Sequence, residues 1–215
     1  MNTPFTDDRI EDYIRKNSTK EPDLLRKLEE ETYRFTANPR MLSGFLQGRI
    51  LSFFSKLISP ERILEIGTFT GYSALCLCEG LASGGILHTI ECNDEIAPLA
   101  RKYFSMSQYK NQIVLHIGDA RTILPGMKET FQLVYLDGEK KEYPEYFALV
   151  ADKISAGGLL ISDNVLWNGK VFDQPQPGDH STKGIAEFTE AVAEDVRFET
   201  IILPIRDGIL VARKK

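Results

Sequence analysis

Hydrophobic positions in the first sixty residues recur at helical spacing. Leu24, Leu25, Leu28 and Phe35 fall on one face; Phe45, Leu46, Ile50, Phe53, Phe54 and Leu57 fall on another. Pro22 and Pro39 punctuate this region. From residue 61 the pattern changes. Short apolar runs predict strands at 62–66, 86–91, 113–117, 131–136 and 158–162. The segments between them are amphipathic at helical period. Ile96, Leu99, Ala100, Tyr103 and Phe104 mark one helix, and Tyr143, Phe147 and Val150 mark another. Such alternation predicts an α/β fold with a mostly parallel sheet covered by helices on both faces. The C-terminal part departs from it. A helix carrying Ile185, Phe188 and Val192 precedes two apolar runs, FETIILPI and GILVARK. They are joined at Arg206-Asp207-Gly208, where a tight Asp-Gly connection reads as an antiparallel hairpin. The expectation is one domain over 1–215, with residues 1–60 as a helical cap and 61–215 as the sheet core.

Composition narrows the class. A chain of 215 residues that is 42% hydrophobic has enough apolar material for one full core. A formal net charge of −5 argues against a molecule that binds nucleic acid over its whole surface. It leaves Arg15, Lys16, Lys20, Arg26, Lys27, Arg40 and Arg49 as a candidate local basic patch. The opening MNTPFTDDR is polar and acidic, without the apolar stretch of a signal peptide. No apolar run is long enough to span a bilayer. Cys76, Cys78 and Cys92, an odd number, suggest reduced thiols and a cytoplasmic setting.

Ligands of an open parallel sheet bind at the carboxyl ends of its strands. The first such end is Glu65-Ile66-Gly67-Thr68-Phe69-Thr70-Gly71, with two glycines and an acidic residue. A carboxylate repels a pyrophosphate and attracts an ammonium. The missing third glycine of G-x-G-x-x-G points the same way. Together they favour S-adenosylmethionine over a dinucleotide. The second strand ends at Glu91, placed to accept from ribose hydroxyls. The third ends at Gly118-Asp119-Ala120, where adenine would lie. Each acidic residue also suits a helix N-cap or a solvated loop; their recurrence at successive strand ends favours a shared ligand.

The ordered set RILEIGTFTGYSALCLCEGL, TIE, GDA, LDGEK, GGLLISDNVLWNG and LPIRDGI resembles the class I O-methyltransferases of the catechol and caffeoyl-coenzyme A type, bacterial relatives included, over roughly residues 40–213. The resemblance implies a Rossmann-like sheet, added N-terminal helices, S-adenosylmethionine and commonly a homodimer. By position it implies cofactor contacts at Ser43, Glu65, Gly67, Thr68, Ser73, Glu91, Asp119, Ala120, Asp137 and Glu139. Where the family usually has an acidic residue, this chain has Gln47.

Two later strand ends carry oxygen ligands, Asp137 after FQLVYL and Asp163-Asn164 after GLLIS. On neighbouring strands about 4.8 Å apart they would converge. Two carboxylates and an amide, with no Cys or His, suit a hard divalent cation such as magnesium. A phenol ionises near pH 10, so little is nucleophilic at neutral pH; a Lewis acid beside that oxygen corrects this. Asp137 capping a helix and Asp163-Asn164 opening a turn is the plainer reading of the same residues; the resemblance places all three as ligands. It also makes Lys140 the catalytic base, and a nearby cation would push that lysine towards its neutral form. The family's Asp-Ala-Asp-Lys is here Asp-Gly-Glu-Lys. Met41, Trp167 and Asn168 match substrate-side positions, with Trp167 equally suited to packing. The Gly- and Pro-rich stretch 169–183 reads as a long loop, with His180 solvated in it. The expected partner is a small catechol-like or hydroxylated aromatic molecule. A tRNA hydroxyuridine acceptor and a catalytically inert cofactor-binding module are the alternatives.

Overall fold

The computed structural model describes residues 8–215. Three helices, α1 (Asp8–Asn17), α2 (Asp23–Phe35) and α3 (Gly44–Ile58), precede the sheet. Then follow β1 (Arg62–Ile66), α4 (Tyr72–Cys78), β2 (Ile86–Glu91), α5 (Ala97–Met106), β3 (Ile113–Ile117), α6 (Ala120–Ile123), β4 (Phe131–Leu136), α7 (Tyr143–Val150) and β5 (Ile154–Ser162). The chain closes with α8 (His180–Glu194), β6 (Phe198–Leu203) and β7 (Ile209–Lys214). The strands form one sheet in the order β3-β2-β1-β4-β5-β7-β6. Pairings among β1 to β5 are parallel, whereas β5–β7 and β6–β7 are antiparallel. The expected α/β architecture with its antiparallel C-terminal pair is therefore present. The strand order reverses between β1 and β4, and a ligand cleft belongs there.

The central strands are largely apolar because both faces are covered; the exception in β1 is the fully buried Glu65. Leu64, Ile66, Val134, Leu136 and Leu160 join Tyr143, Phe147 and Phe188 of α7 and α8 in one core. Their alternating neighbours Ile63, Leu133, Tyr135 and Ile161 join Leu51, Leu75, Leu77 and Phe104 of α3, α4 and α5 in the other.

Several expectations need correction. In α3 the buried residues are Phe45, Gln47, Gly48, Leu51, Ser52 and Ser55. Phe53 and Leu57, assigned to the apolar face, are 64% and 68% exposed. The reason is close helix packing. A Cβ on Gly48 would stand 2.6 Å from the Tyr72 ring and 2.8 Å from the Cys76 sulfur. Small side chains let α3 approach α4, so Gly48, Ser52 and Ser55 face inward beside Phe45 and Leu51, and Phe53 and Leu57 are left outside. In α2, Leu25, Leu28 and Thr32 are buried while Phe35 is exposed. Strand β5 starts at Ile154 rather than 158, because a register shift opposite Phe131 and Leu133 absorbs the extra residues around Gly157 and Gly158. The loop after β5 is shorter than expected. A 3-10 segment covers Trp167–Phe172, and α8 begins at His180 because Asp179 caps it, accepting from the Thr182 N–H at 3.1 Å. The hairpin turn is wider than an Asp-Gly pair, spanning 204–208 with Arg206 at φ 51°.

Gly80, just past α4, sets the distance to α3. A Cβ there would fall 2.2 Å from the Ser55 carbonyl carbon and 2.3 Å from the Lys56 nitrogen. Overpacking against backbone costs about 1–3 kcal/mol. Gly80→Ala is expected to lose about 2 kcal/mol or more in urea denaturation; a loss below about 0.5 kcal/mol would contradict this packing.

Candidate active site

A cleft of about 1120 Å³ opens at the carboxyl ends of β1, β2, β4 and β5. Glu65 lies under it, fully buried. Its Oε2 accepts from the Thr89 hydroxyl at 2.5 Å. Since Thr89 spends its proton there, the Thr68 hydroxyl donates to Thr89, also at 2.5 Å. Glu65 Oε1 has no hydrogen-bond partner. Burial pushes the Glu65 carboxyl up to about 8, with Ser73 and Thr89 opposing. Oε1 is thus open to a donor from outside the protein, and a cationic donor would also offset the burial that raises the carboxyl.

Gly67 turns the chain over this carboxylate. It has φ 99°, and a Cβ would sit 2.3 Å from the Asp137 carbonyl oxygen, so no larger residue fits between the ends of β1 and β4. Glu91 accepts from the Phe69 N–H at 2.7 Å and the Asn93 N–H at 2.9 Å. Oε1 also accepts from the Cys92 thiol at 3.8 Å, and Oε2 retains a lone pair. Asp119 serves as the N-cap of α6, accepting from the Arg121 N–H at 2.8 Å and pairing with the Arg121 guanidinium at 2.6 Å. The capping role weighed for the acidic strand ends thus holds for this residue, which also lines the cleft. Ser43, Thr68, Ser73, Ala120 and the exposed Glu139 line the cleft as well.

Leu136 and Ser162 are partners in the β4–β5 ladder, so Asp137 and Asp163 follow side by side. Asp163 is 5% exposed, and its Oδ1 accepts from the Asn164 N–H at 2.8 Å. Asn164, at φ 58°, turns back along the cleft wall. Asp137 Oδ1 pairs with Lys140 Nζ at 2.8 Å, and Oδ2 accepts from the Tyr135 hydroxyl at 3.4 Å. Burial raises the Asp137 carboxyl to about 6; Lys140 draws it down and Asp163 pushes it up. Among the described residues no group of three His, Cys, Asp or Glu side chains makes a metal cluster. The third oxygen here is an amide.

Lys140 is not held neutral. Burial pulls its pKa down, but Asp137 and Asp163 outweigh that and keep the ammonium above its ordinary value. Nζ also donates to the Tyr143 hydroxyl at 2.8 Å, which itself donates to the Leu136 carbonyl at 3.0 Å. The lysine is neutral only if something else satisfies these carboxylates.

On the acceptor side, Met41 is 60% exposed at the cleft's rim. Trp167 lines the cleft and packs on the core, its buried Nε1 without a partner. Asn168 departs from expectation. It is exposed, is not among the lining residues, and its N–H is held by the Asp207 carboxylate at 2.5 Å. Positive φ angles at Trp167, Asn168 and Gly169 turn this stretch away from an ordinary helical course. Two residues went unassigned in the sequence. Tyr135 joins Asp137, and Arg206, which read only as a turn residue, reaches the cleft from the hairpin. The i−2 spacing of Tyr135 from Asp137 is a weak signal for the first; none marks the second.

The O-methyltransferase family profile matches residues 15–215. The chain belongs to the O-methyltransferase family. It is 30% identical to a caffeoyl-CoA O-methyltransferase of Petroselinum crispum, covering 96% of this chain and 91% of that one. It is 29% identical to a catechol O-methyltransferase domain-containing protein of Mus musculus, covering 98% and 82%. Among solved structures, the O-methyltransferase TomG of Streptomyces achromogenes, in complex with SAM, superposes with a TM-score of 0.89 at 29% identity, 96% of each chain being covered. An O-methyltransferase of Bacillus cereus in complex with SAH gives 0.89 at 26% identity, covering 96% and 97%. The fold is that of S-adenosylmethionine-dependent methyltransferases, and this O-methyltransferase is an enzyme of that class.

The Asp137–Lys140 pair has a pH signature in the metal-free enzyme. Removing one partner of a buried pair costs about 3–5 kcal/mol. In Lys140→Met the Asp137 pKa rises further above its unfolded value. An acid with a raised folded pKa loses stability as pH climbs past the unfolded value. The penalty is therefore largest at pH 8 and smallest at pH 5, where Asp137 is protonated in both proteins. Urea midpoints at the two pH values check this; an equal penalty at both would show that the pair is not charged as described.

Proposed function

We propose that the enzyme transfers a methyl group from S-adenosylmethionine to a hydroxyl of a small catechol-like or hydroxylated aromatic molecule, with a divalent cation, magnesium by its donor set, held by Asp137, Asp163 and Asn164. The observation that carries this reading is the pair of carboxylates at adjacent strand ends in the cleft, with the unpartnered Glu65 Oε1 buried beneath it. Among the described residues Lys140 is the one ion-pair partner of these two carboxylates, and burial together with the neighbouring Asp163 raises Asp137 to about 6. All three oxygen donors are of the hard type. When bound, the cation lowers the pKa of the acceptor hydroxyl and orients it. Glu65 receives the amino group of the methyl donor, and Glu91 receives the ribose hydroxyls. Trp167 and Met41 flank the acceptor ring, and Lys140 holds Asp137 in place and stands ready as base. The caffeoyl-CoA and catechol names of the relatives support an aromatic diol.

The RNA alternative gains nothing from the surface. Arg15 pairs with Glu21, Arg26 with Glu30 and Arg49 with Glu79, so three of the seven residues of the candidate patch are neutralised by acidic neighbours. An inert module would not need Asp137, Asp163, Asn164 and Lys140 together. No helix among the described residues is long and apolar enough to cross a membrane. A cytoplasmic homodimer belongs to the same reading, and the exposed Phe53 and Leu57 of α3 offer it a contact face; sedimentation velocity checks it.

Methyl transfer to a panel of catechols and to bulk tRNA, with magnesium and after exhaustive chelation, tests the reaction. Chelation and Asp163→Ala are each expected to cut diol methylation at least about 100-fold, in the range of lost charge stabilisation in an active site. Undiminished turnover in either case rejects the cation. Glu65 provides a second test. With its carboxyl at about 8 in the free enzyme, docking of a cationic amino group expels a proton. Cofactor affinity should rise nearly tenfold per pH unit between pH 6 and 7 by linkage, and Glu65→Gln should flatten the slope in calorimetry. A pH-independent affinity in the unaltered enzyme removes Glu65 from the cofactor site.

A further inference from the structure

Three cationic residues line the cleft: Arg40, Lys140 and Arg206. Lys140 is paired with Asp137. Arg40 and Arg206 have no carboxylate partner among the described residues. Arg206 stands at φ 51° in the turn between β6 and β7. The same turn is pinned beside the site, since the Leu166 N–H donates to the Asp207 carbonyl at 2.8 Å and the Val165 N–H to the Gly208 carbonyl at 3.1 Å. One guanidinium nitrogen, Nη1, donates to the Ser43 carbonyl and, at 2.9 Å, to Gln47 Oε1. Both acceptors are neutral. The Gln47 amide in turn donates to the Tyr135 hydroxyl at 2.8 Å, and Tyr135 donates to Asp137 at 3.4 Å. A short chain of hydrogen bonds thus separates Arg206 from the carboxylate expected to hold the cation.

From this arrangement we infer that the acceptor carries an acidic group, a carboxylate on the far side of its ring from the reacting diol, and that Arg206 selects it. The inference rests on the acceptor reading above and makes it narrower. Gln47 is the residue that permits it. A carboxylate at position 47 would accept the same hydrogen bond and neutralise the guanidinium. The amide accepts the bond and leaves the charge. Arg206 is therefore anchored through Nη1 while Nε and Nη2 keep donors free, the fork geometry that binds carboxylates. Arg40, on the same rim, adds a second uncompensated positive charge. A cationic amine placed against Arg206 would be repelled by a guanidinium that has no ion-pair partner of its own among the described residues.

The test uses the enzyme loaded with S-adenosylhomocysteine and magnesium. Calorimetry compares neutral 4-methylcatechol, cationic dopamine, anionic 3,4-dihydroxybenzoate and the longer anion 3-(3,4-dihydroxyphenyl)propionate. The diol is common to all four. At least one anion is expected to bind about tenfold or more tighter than 4-methylcatechol, as one charged hydrogen-bond pair supplies, with dopamine weakest. Arg206→Gln should bring the anion-to-neutral ratio near one. Gln47→Glu should do the same while keeping the anchor, which separates charge from architecture. Equal affinity for neutral and anionic diols in the unaltered enzyme overturns the inference. So does an anion preference that survives both substitutions. Methyl transfer followed in parallel keeps the two readings apart. An Arg206-dependent preference without turnover of any diol rejects the catechol acceptor and retains the anion site. Equal turnover and binding of neutral and anionic diols does the reverse.

Discussion

The site depends on a backbone ladder that runs one residue beyond the strands. The Gly118 N–H donates to the Glu91 carbonyl at 2.8 Å and the Gly67 N–H to Ile90 at 2.9 Å. Asp137 donates likewise to Ile66 at 2.8 Å, and Asp163 to Leu136 at 3.0 Å. These bonds hold the acidic strand ends of five neighbouring strands at one height. Each contributes only about 1 kcal/mol net, but their joint effect is positional. Carboxylates fixed this way cannot drift apart to relieve repulsion. Their charge has to be met by a residue, by a proton or by a ligand. Asp137 shows the first solution and Glu65 the second.

The other wall of the cleft is set by how near α3 comes to α4. Gly48, Ser52 and Ser55 on one helix and Gly80 beyond the other allow contact close to backbone distance. That approach lays the first turn of α3 over the ends of the central strands. Ser43 consequently lines the cleft, and both Ser43 and Gln47 meet Arg206 of the hairpin turn. Stability and recognition share the same small residues here. A bulkier inward face on α3 would move Gln47 off Tyr135 and loosen Arg206 as well.

Lys140 illustrates why proximity alone does not identify a base. Its nitrogen touches Asp137 and Tyr143 and lies within the field of Asp163. With two carboxylates facing it, the ammonium is the favoured form. A divalent charge shared by the same carboxylates would reverse that balance, because the lysine then sees a cation where it saw uncompensated anions. Its role thus depends on what else the two aspartates hold.

Local pattern carried much of this architecture and non-local contact carried the rest. The β1–β4 runs were legible because buried parallel strands are apolar throughout, and the acidic strand ends because each directly follows such a run. The inward face of α3 was not. Periodicity counts large apolar residues, whereas tight packing chose Gly48, Ser52 and Ser55 and left Phe53 and Leu57 outside. The α8 start at His180 depended on a cap at Asp179 within a stretch whose glycine and prolines read as loop. Arg206 was the least legible. In the sequence it is one residue of an Arg-Asp-Gly turn, and nothing local distinguishes it from any solvated arginine. Only the sheet order, which inserts β7 beside β5, brings that turn to the cleft, some 160 positions from Gln47 in the chain. A neutral amide opposite a guanidinium means little until topology has made them neighbours. It then becomes the feature that leaves a positive charge on the wall of the cleft.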